Sequence, residues 1–161
     1  MAVLVSFLIY PWSQAMSDVK KLIVLLVEDE AADAHLVRLA FEEGQVLVDL
    51  QHVSDGIEAF AFLRRQDAYA TVPTPDLILL DLNMPRMDGR QFLQKIKADA
   101  ALQQLPVVVL TTSDAERDML DAYAYSAAGF IVKPVNVDDF IKVVRGISDY
   151  WVNIVRLPRH K

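Results

Sequence analysis

The chain has 161 residues, 53% of them hydrophobic, which describes one domain with enough apolar side chain to bury a full core. It contains no cysteine, so a disulfide framework and a thiolate metal site are both excluded, and the composition suits a reducing, cytoplasmic compartment. A formal charge of −6 with scattered Lys and Arg argues against a nucleic-acid surface, which needs clustered cations.

The leading stretch Met1 to Tyr10 is apolar, but roughly ten residues is about half of what a bilayer-crossing helix needs. No basic residue precedes Lys20, as a secretory signal would require, so neither a membrane span nor an exported chain is expected. A second start, Met16-Ser-Asp-Val-Lys-Lys21, stands directly ahead of the first strand. Residues 1–21 are therefore read as a leader, with 1–15 as an over-long gene start in preference to a packing extension.

From Leu22 onward strands and helices alternate. Leu22 to Val27, Leu77 to Leu82 and Val107 to Thr111 are continuous apolar runs, the pattern of strands covered on both faces. Val46 to Val53 is a more polar strand and Phe130 to Val132 a short one. Ala31 to Glu43, Ile57 to Arg65, Gly89 to Ala98 and Glu116 to Tyr125 have helical periodicity, clearest in Phe92, Leu93 and Ile96, and a last helix runs through Phe140 toward Val155. Strands alternating with helices imply right-handed crossovers. The prediction is an α/β, doubly wound, flavodoxin-like domain over 22–158, with a five-stranded parallel sheet of order 2-1-3-4-5 and an extended C-terminal helix.

That topology has chemical consequences. The first strand ends in Glu28-Asp29 and the third in Asp81, so three carboxylates converge on the crevice where the strand order reverses. Like charges in a partly desolvated cleft cost several kcal/mol unless a cation joins them, and an all-oxygen site with few protein ligands suits Mg2+. Thr111 brings a hydroxyl from the end of the fourth strand, and Lys133, ahead of Pro134, an ammonium from the fifth. A metal, a hydroxyl and an ammonium around one carboxylate make a receptor for a phosphoryl group. Taken singly, each residue has a plainer explanation. Glu28-Asp29 would be a helix cap, Asp88-Gly89 a turn, Lys133 a solvated lysine, Thr111 a strand hydroxyl and Phe130 a core residue. Their joint placement at four strand ends favours the chemistry.

At these residues, Val27-Glu28-Asp29, Asp81 with Met84-Pro85-Arg86-Met87-Asp88-Gly89, Leu110-Thr111 and Lys133-Pro134, the chain resembles the receiver domains of two-component response regulators. The likeness covers Leu22 to roughly Val155. The segments Pro75 to Asn83, Val107 to Ser113 and Trp151 to Pro158 are similar to the stand-alone regulators paired with phytochrome-type histidine kinases. The resemblance implies that Asp81 accepts a phosphoryl group from a kinase phosphohistidine. Glu28, Asp29, the Asp81 carboxylate and the Asn83 carbonyl would hold Mg2+, and Lys133 would pair with the phosphoryl oxygens. Thr111 and Phe130 would switch the face built by the fourth helix, fifth strand and fifth helix. Asn83 and Ser113 fall where the family tunes the acyl-phosphate lifetime. Ser126 stands where the family usually has glycine, and a modest local cost is expected there. Thr112 replaces a smaller residue and narrows phosphoryl access.

His35, His52 and His160 show neither ligand spacing nor a nucleophile partner and are read as structural or solvated. The apolar groups between Phe140 and Val155 exceed one buried stripe, which leaves Tyr150, Trp151 and Leu157 over. Aromatic clusters of this kind anchor interfaces, so homodimerisation through this end is expected, against the plainer view that the helix end folds onto its own core. With no effector following Pro158, output is expected through protein contact, and the chain is read as a phosphoacceptor signalling domain that catalyses only its own phosphorylation and dephosphorylation. The competing class, a metal-dependent phosphohydrolase with Asp81 as nucleophile, would want a second acid two residues later, where Asn83 stands.

Overall fold

The computed structural model describes residues 21–44 and 47–157. The expected leader, apart from Lys21, lies outside the described residues, as do Val46, Pro158, His160 and the expected tail 159–161.

Strands β1 (Leu22–Val27), β2 (Val48–Val53), β3 (Leu77–Leu80), β4 (Val107–Thr111) and β5 (Gly129–Val132) form one parallel sheet in the order β2-β1-β3-β4-β5. Helices α1 (Ala31–Glu43), α2 (Gly56–Leu63), α3 (Gly89–Ala98) and α4 (Glu116–Ala124) fill the four connections, and α5 (Val137–Asp149) follows β5. The predicted fold class and strand order are both observed.

Two apolar layers sandwich the sheet, and strand alternation assigns residues to each. Leu25 and Val27 of β1, Ile78 and Leu80 of β3 and Val107 and Val109 of β4 face α2, α3 and α4, where Phe60, Phe92, Leu93 and Ile96 complete the layer. Val24 and Leu26, Leu77 and Leu79, and Val108 and Leu110 face α1 and α5 and meet Val37, Phe41, Phe140, Val144 and Ile147. Each fully buried side chain of this size is worth about 1.5–3 kcal/mol, so both faces of the three inner strands are strongly specified. β2 is only half-buried over most of its length, which is why it carries Asp49, Gln51 and His52.

Several boundaries differ from those expected. β3 stops at Leu80, so Asp81 and Leu82 begin the loop. α2 ends at Leu63 because Arg65 turns to a left-handed φ of 53°. α4 stops at Ala124, and Ser126 takes a left-handed φ of 62°. There the Ser126 N–H donates to Tyr123 and the Ala127 N–H to Ala122, a Schellman cap with serine in the place that favours glycine. After α5 the chain continues as a π-helical turn, Tyr150–Ile154. Trp151 and Leu157 pack against the α1/α5 core, so they are not left over as expected, whereas Tyr150 and Ile154 remain exposed.

Candidate functional site

The strand ends build the site. β1 and β3 are paired with Val27 opposite Leu80, and the Asp81 N–H donates to the Val27 carbonyl at 3.0 Å, so the residues just beyond each strand emerge side by side. Glu28 and Asp81 are buried, while Asp29 is exposed at the mouth. Carboxylate oxygens of Glu28, Asp29 and Asp81 all lie within 4.8 Å of one another. At that separation each charged pair repels by about 3 kcal/mol in a site of intermediate polarity. A hard divalent cation fits this donor set: all oxygen, anionic, and open to solvent on the Asp29 side.

Lys133 reaches the same point from the end of β5. Its ammonium is 4% exposed and donates to Glu28 Oε2 at 2.5 Å and to Asp33 Oδ2 at 2.8 Å, while Asp81 Oδ2 stands 3.7 Å away. Burial pushes the Glu28 carboxyl up to about 7, against the pull of the Lys133 ammonium. Burial acts to lower the Lys133 value, but its hydrogen bonds to Asp33 and Glu28 outweigh it and hold the ammonium above its ordinary range. Thr111, the last residue of β4, is fully buried; its carbonyl accepts the Lys133 N–H at 2.7 Å and its hydroxyl oxygen accepts the Ser113 N–H at 3.3 Å.

The loop from Asp81 to Gly89 is held from several sides. The Asn83 N–H donates to Asp81 Oδ1 at 3.4 Å, and the Asn83 side chain is exposed. Met84 is buried, Arg86 has a φ of 62°, and its guanidinium pairs with buried Asp55, which also caps α2 by accepting the Glu58 N–H. Asp88 and Gln91 form a reciprocal capping box that starts α3, as the turn reading expected. The helix-cap reading of Glu28-Asp29 is not what forms, because the cap position of α1 is Glu30 and it makes no side-chain cap. Phe130 is half-buried against the α2/α3/α4 core.

Glu28, Asp29, Asp81 and Lys133 therefore come together, Thr111 and Asn83 flank them, and Phe130 sits on the core side of β5. Sequence reasoning missed Asp33, whose only signal is its place in the first turn of the helix that follows Glu28-Asp29. It also missed the Asp55–Arg86 pair. His52, read as structural or solvated, has a structural role: its Nε2 donates to the Glu28 carbonyl at 2.7 Å and fixes the end of β1. His35 is exposed, as a solvated histidine should be.

The chain is similar to known proteins over most of its length. The family described as response regulator receiver domain matches residues 24–145. Response regulator Rcp1 of Synechocystis is 42% identical over 136 residues, covering 84% of this chain and 92% of that protein. Among solved structures, the phosphorylated cyanobacterial phytochrome response regulator RcpA superposes with a TM-score of 0.83 at 40% identity, covering 87% of this chain and 100% of that one. The Mn2+-bound form of Rcp1 gives a TM-score of 0.80 at 42% identity, covering 85% of this chain and 99% of that one. Among the described residues no helix is long and apolar enough to cross a membrane. With a family match across both flanking strands and every loop of the site, this chain belongs to the response regulator receiver domain family.

Proposed function

We propose that Asp81 is the phosphoacceptor of a stand-alone regulator served by a phytochrome-type histidine kinase, and that the working unit runs from Leu22 to Pro158. The observation that carries this is the cluster itself, in which a buried Asp81 has two carboxylates within 4.8 Å and the Lys133 ammonium 3.7 Å away. The kinase assignment draws its support from the phytochrome response regulator RcpA, at 40% identity.

In the proposed transfer an Asp81 carboxylate oxygen attacks the phosphorus of a kinase phosphohistidine. The O–P bond forms, the P–N bond breaks, and its electron pair returns to the imidazole. Mg2+, held by Glu28, Asp29, the Asp81 carboxylate and the Asn83 carbonyl, would neutralise charge on the acceptor and phosphoryl oxygens. Lys133 offers an N–H to a phosphoryl oxygen, and Thr111 a hydroxyl. Movement of Thr111 draws Phe130 inward and shifts the α4–β5–α5 face between two packings. Leu120, Tyr123, Val132 and Val135 stand exposed on that face, ready for a protein partner. Dimerisation through the Tyr150–Ile154 end belongs to the same proposal; it, and not a nucleic acid, supplies the further partner.

The test is incubation with acetyl phosphate and Mg2+. Slow, stoichiometric labelling that disappears in Asp81→Asn is expected. Many turnovers on phosphate esters would instead establish a phosphohydrolase, and labelling by every histidine kinase except phytochrome-type ones would remove the kinase assignment alone.

A further inference from the structure

Building on the reading of Asp81 as acceptor, we propose that Asp33 is a positioning residue that holds the Lys133 ammonium off Asp81 until a phosphoryl group arrives. An ammonium has three donors and no acceptor. Here one donor is taken by Glu28 Oε2 at 2.5 Å and one by Asp33 Oδ2 at 2.8 Å. The next acceptor, Asp81 Oδ2, lies at 3.7 Å, beyond hydrogen-bond reach. The two anchors come from independent elements, the end of β1 and the first turn of α1, while the Lys133 backbone is pinned at the end of β5 by its own bond to Thr111. Three fixed points determine where the ammonium sits.

Without Asp33 the ammonium keeps a single short anchor. It is 4% exposed, so the closest remaining partner is the Asp81 carboxylate and not bulk water. A direct, charge-assisted bond from Lys133 would occupy a lone pair of the attacking carboxylate and lower its nucleophilicity. Asp33 therefore keeps the acceptor free and leaves one Lys133 donor unspent for the incoming phosphoryl oxygen. A role limited to charge has the opposite sign: deleting an anion near the site would ease entry of an anionic phosphodonor.

The experiment pairs a crystal structure of Asp33→Ala with the rate of labelling by acetyl phosphate at saturating Mg2+. Asp33 is 28% exposed and alanine favours the helix, so folding is expected to survive, and Asp33→Asn serves as a second variant of the same size. The expected result is Lys133 Nζ within hydrogen-bond reach of Asp81 and labelling about tenfold slower, equivalent to about 1.4 kcal/mol. Asp33→Glu, which keeps the charge on a longer stem, should recover most of the rate. Labelling at the wild-type rate or faster in both Asp33→Ala and Asp33→Asn overturns the proposal, as does a Lys133 that stays in place with water where Asp33 was. If wild-type protein takes no label while Lys133 still swings onto Asp81 in the variant, the acceptor reading fails and the positioning role stands.

Discussion

Gly89 shows how one residue can shape the site without touching its chemistry. A Cβ built there would stand 2.2 Å from the Asp81 carbonyl oxygen and 2.7 Å from the Leu82 Cα, so the start of α3 lies directly on the backbone of Asp81. The neighbours are backbone atoms and cannot rotate away. Gly89→Ala is therefore expected to cost about 1–3 kcal/mol and to slow labelling of Asp81, because relief requires the Asp81 peptide itself to move. Urea denaturation measures the first, and an unchanged midpoint would refute the close approach. In the sequence Asp88-Gly89 looked like a turn and helix start, and it is one, but a string of residues carries no sign of which backbone it will meet. The same limit hid Asp33: Glu28, Asp29, Asp81 and Lys133 were legible because each follows an apolar strand, whereas Asp33 sits among ordinary helix residues and gains its meaning only from Lys133, a hundred residues away.

Between elements, α3 and α4 are joined through Asp118. Its carboxylate accepts from Arg90 Nε at 2.9 Å and from Ser113 Oγ at 2.5 Å, which connects α3 and α4 to the turn after Thr111. The Arg90 and Ser113 hydrogen bonds hold the Asp118 carboxyl below its ordinary value of 3.8. A folded-state value below the unfolded one means that the stability it confers is complete above 3.8 and is lost as pH falls through the folded value. Asp118→Asn is thus expected to lose about 1 kcal/mol or less at pH 7, with the gap from wild type closing below pH ~4. Thermal unfolding across pH 2–7 measures it, and a gap independent of pH would show that the carboxylate is not what holds the pair. Element types and order were readable from periodicity alone, since β1, β3 and β4 are buried on both faces and the helices carry one apolar stripe. Ends were less readable. β3 was expected to reach Leu82, yet the sheet stops at Leu80 while burial continues through Leu82, so an apolar run outlasted its strand. The π-helical turn after Asp149 left no periodic mark, and it decides which aromatic groups face the core.

At the scale of the whole molecule, the three converging carboxylates make the metal-free protein store repulsion at the centre of its sheet edge. Binding of Mg2+ at a hundredfold excess over its dissociation constant is expected to add about 2.7 kcal/mol, or roughly 5–10 °C in Tm. Asp29→Ala, at an exposed position, should raise the Tm of the metal-free chain slightly and abolish most of the Mg2+ shift. Opposite behaviour in either arm would mean that the cluster is not the metal site. The far end of the sheet poses the remaining question of assembly. Trp151 packs half-buried against the α1/α5 core, and its ring meets Tyr150 edge-on at 5.5 Å, while Tyr150 is 49% and Ile154 71% exposed. Beside them a cavity of about 430 Å³, lined by Gly129, Ile131, Ile147 and Trp151, opens at the free edge of the sheet next to β5. Apolar side chains that project next to an apolar hollow on the same surface suit a two-fold pairing, in which each copy inserts its projection into the other's hollow. Trp151 is a poor probe because its removal would also cost core packing. Tyr150→Ser with Ile154→Ser avoids that: the predicted outcome is sedimentation as a monomer, a loss of about 2 kcal/mol per anchor, with a Tm lowered only by the lost association and no longer dependent on protein concentration. A double variant that still sediments as a dimer would move the interface elsewhere, and the exposed Leu120, Tyr123 and Val132 of α4 and β5 would be the next surface to alter.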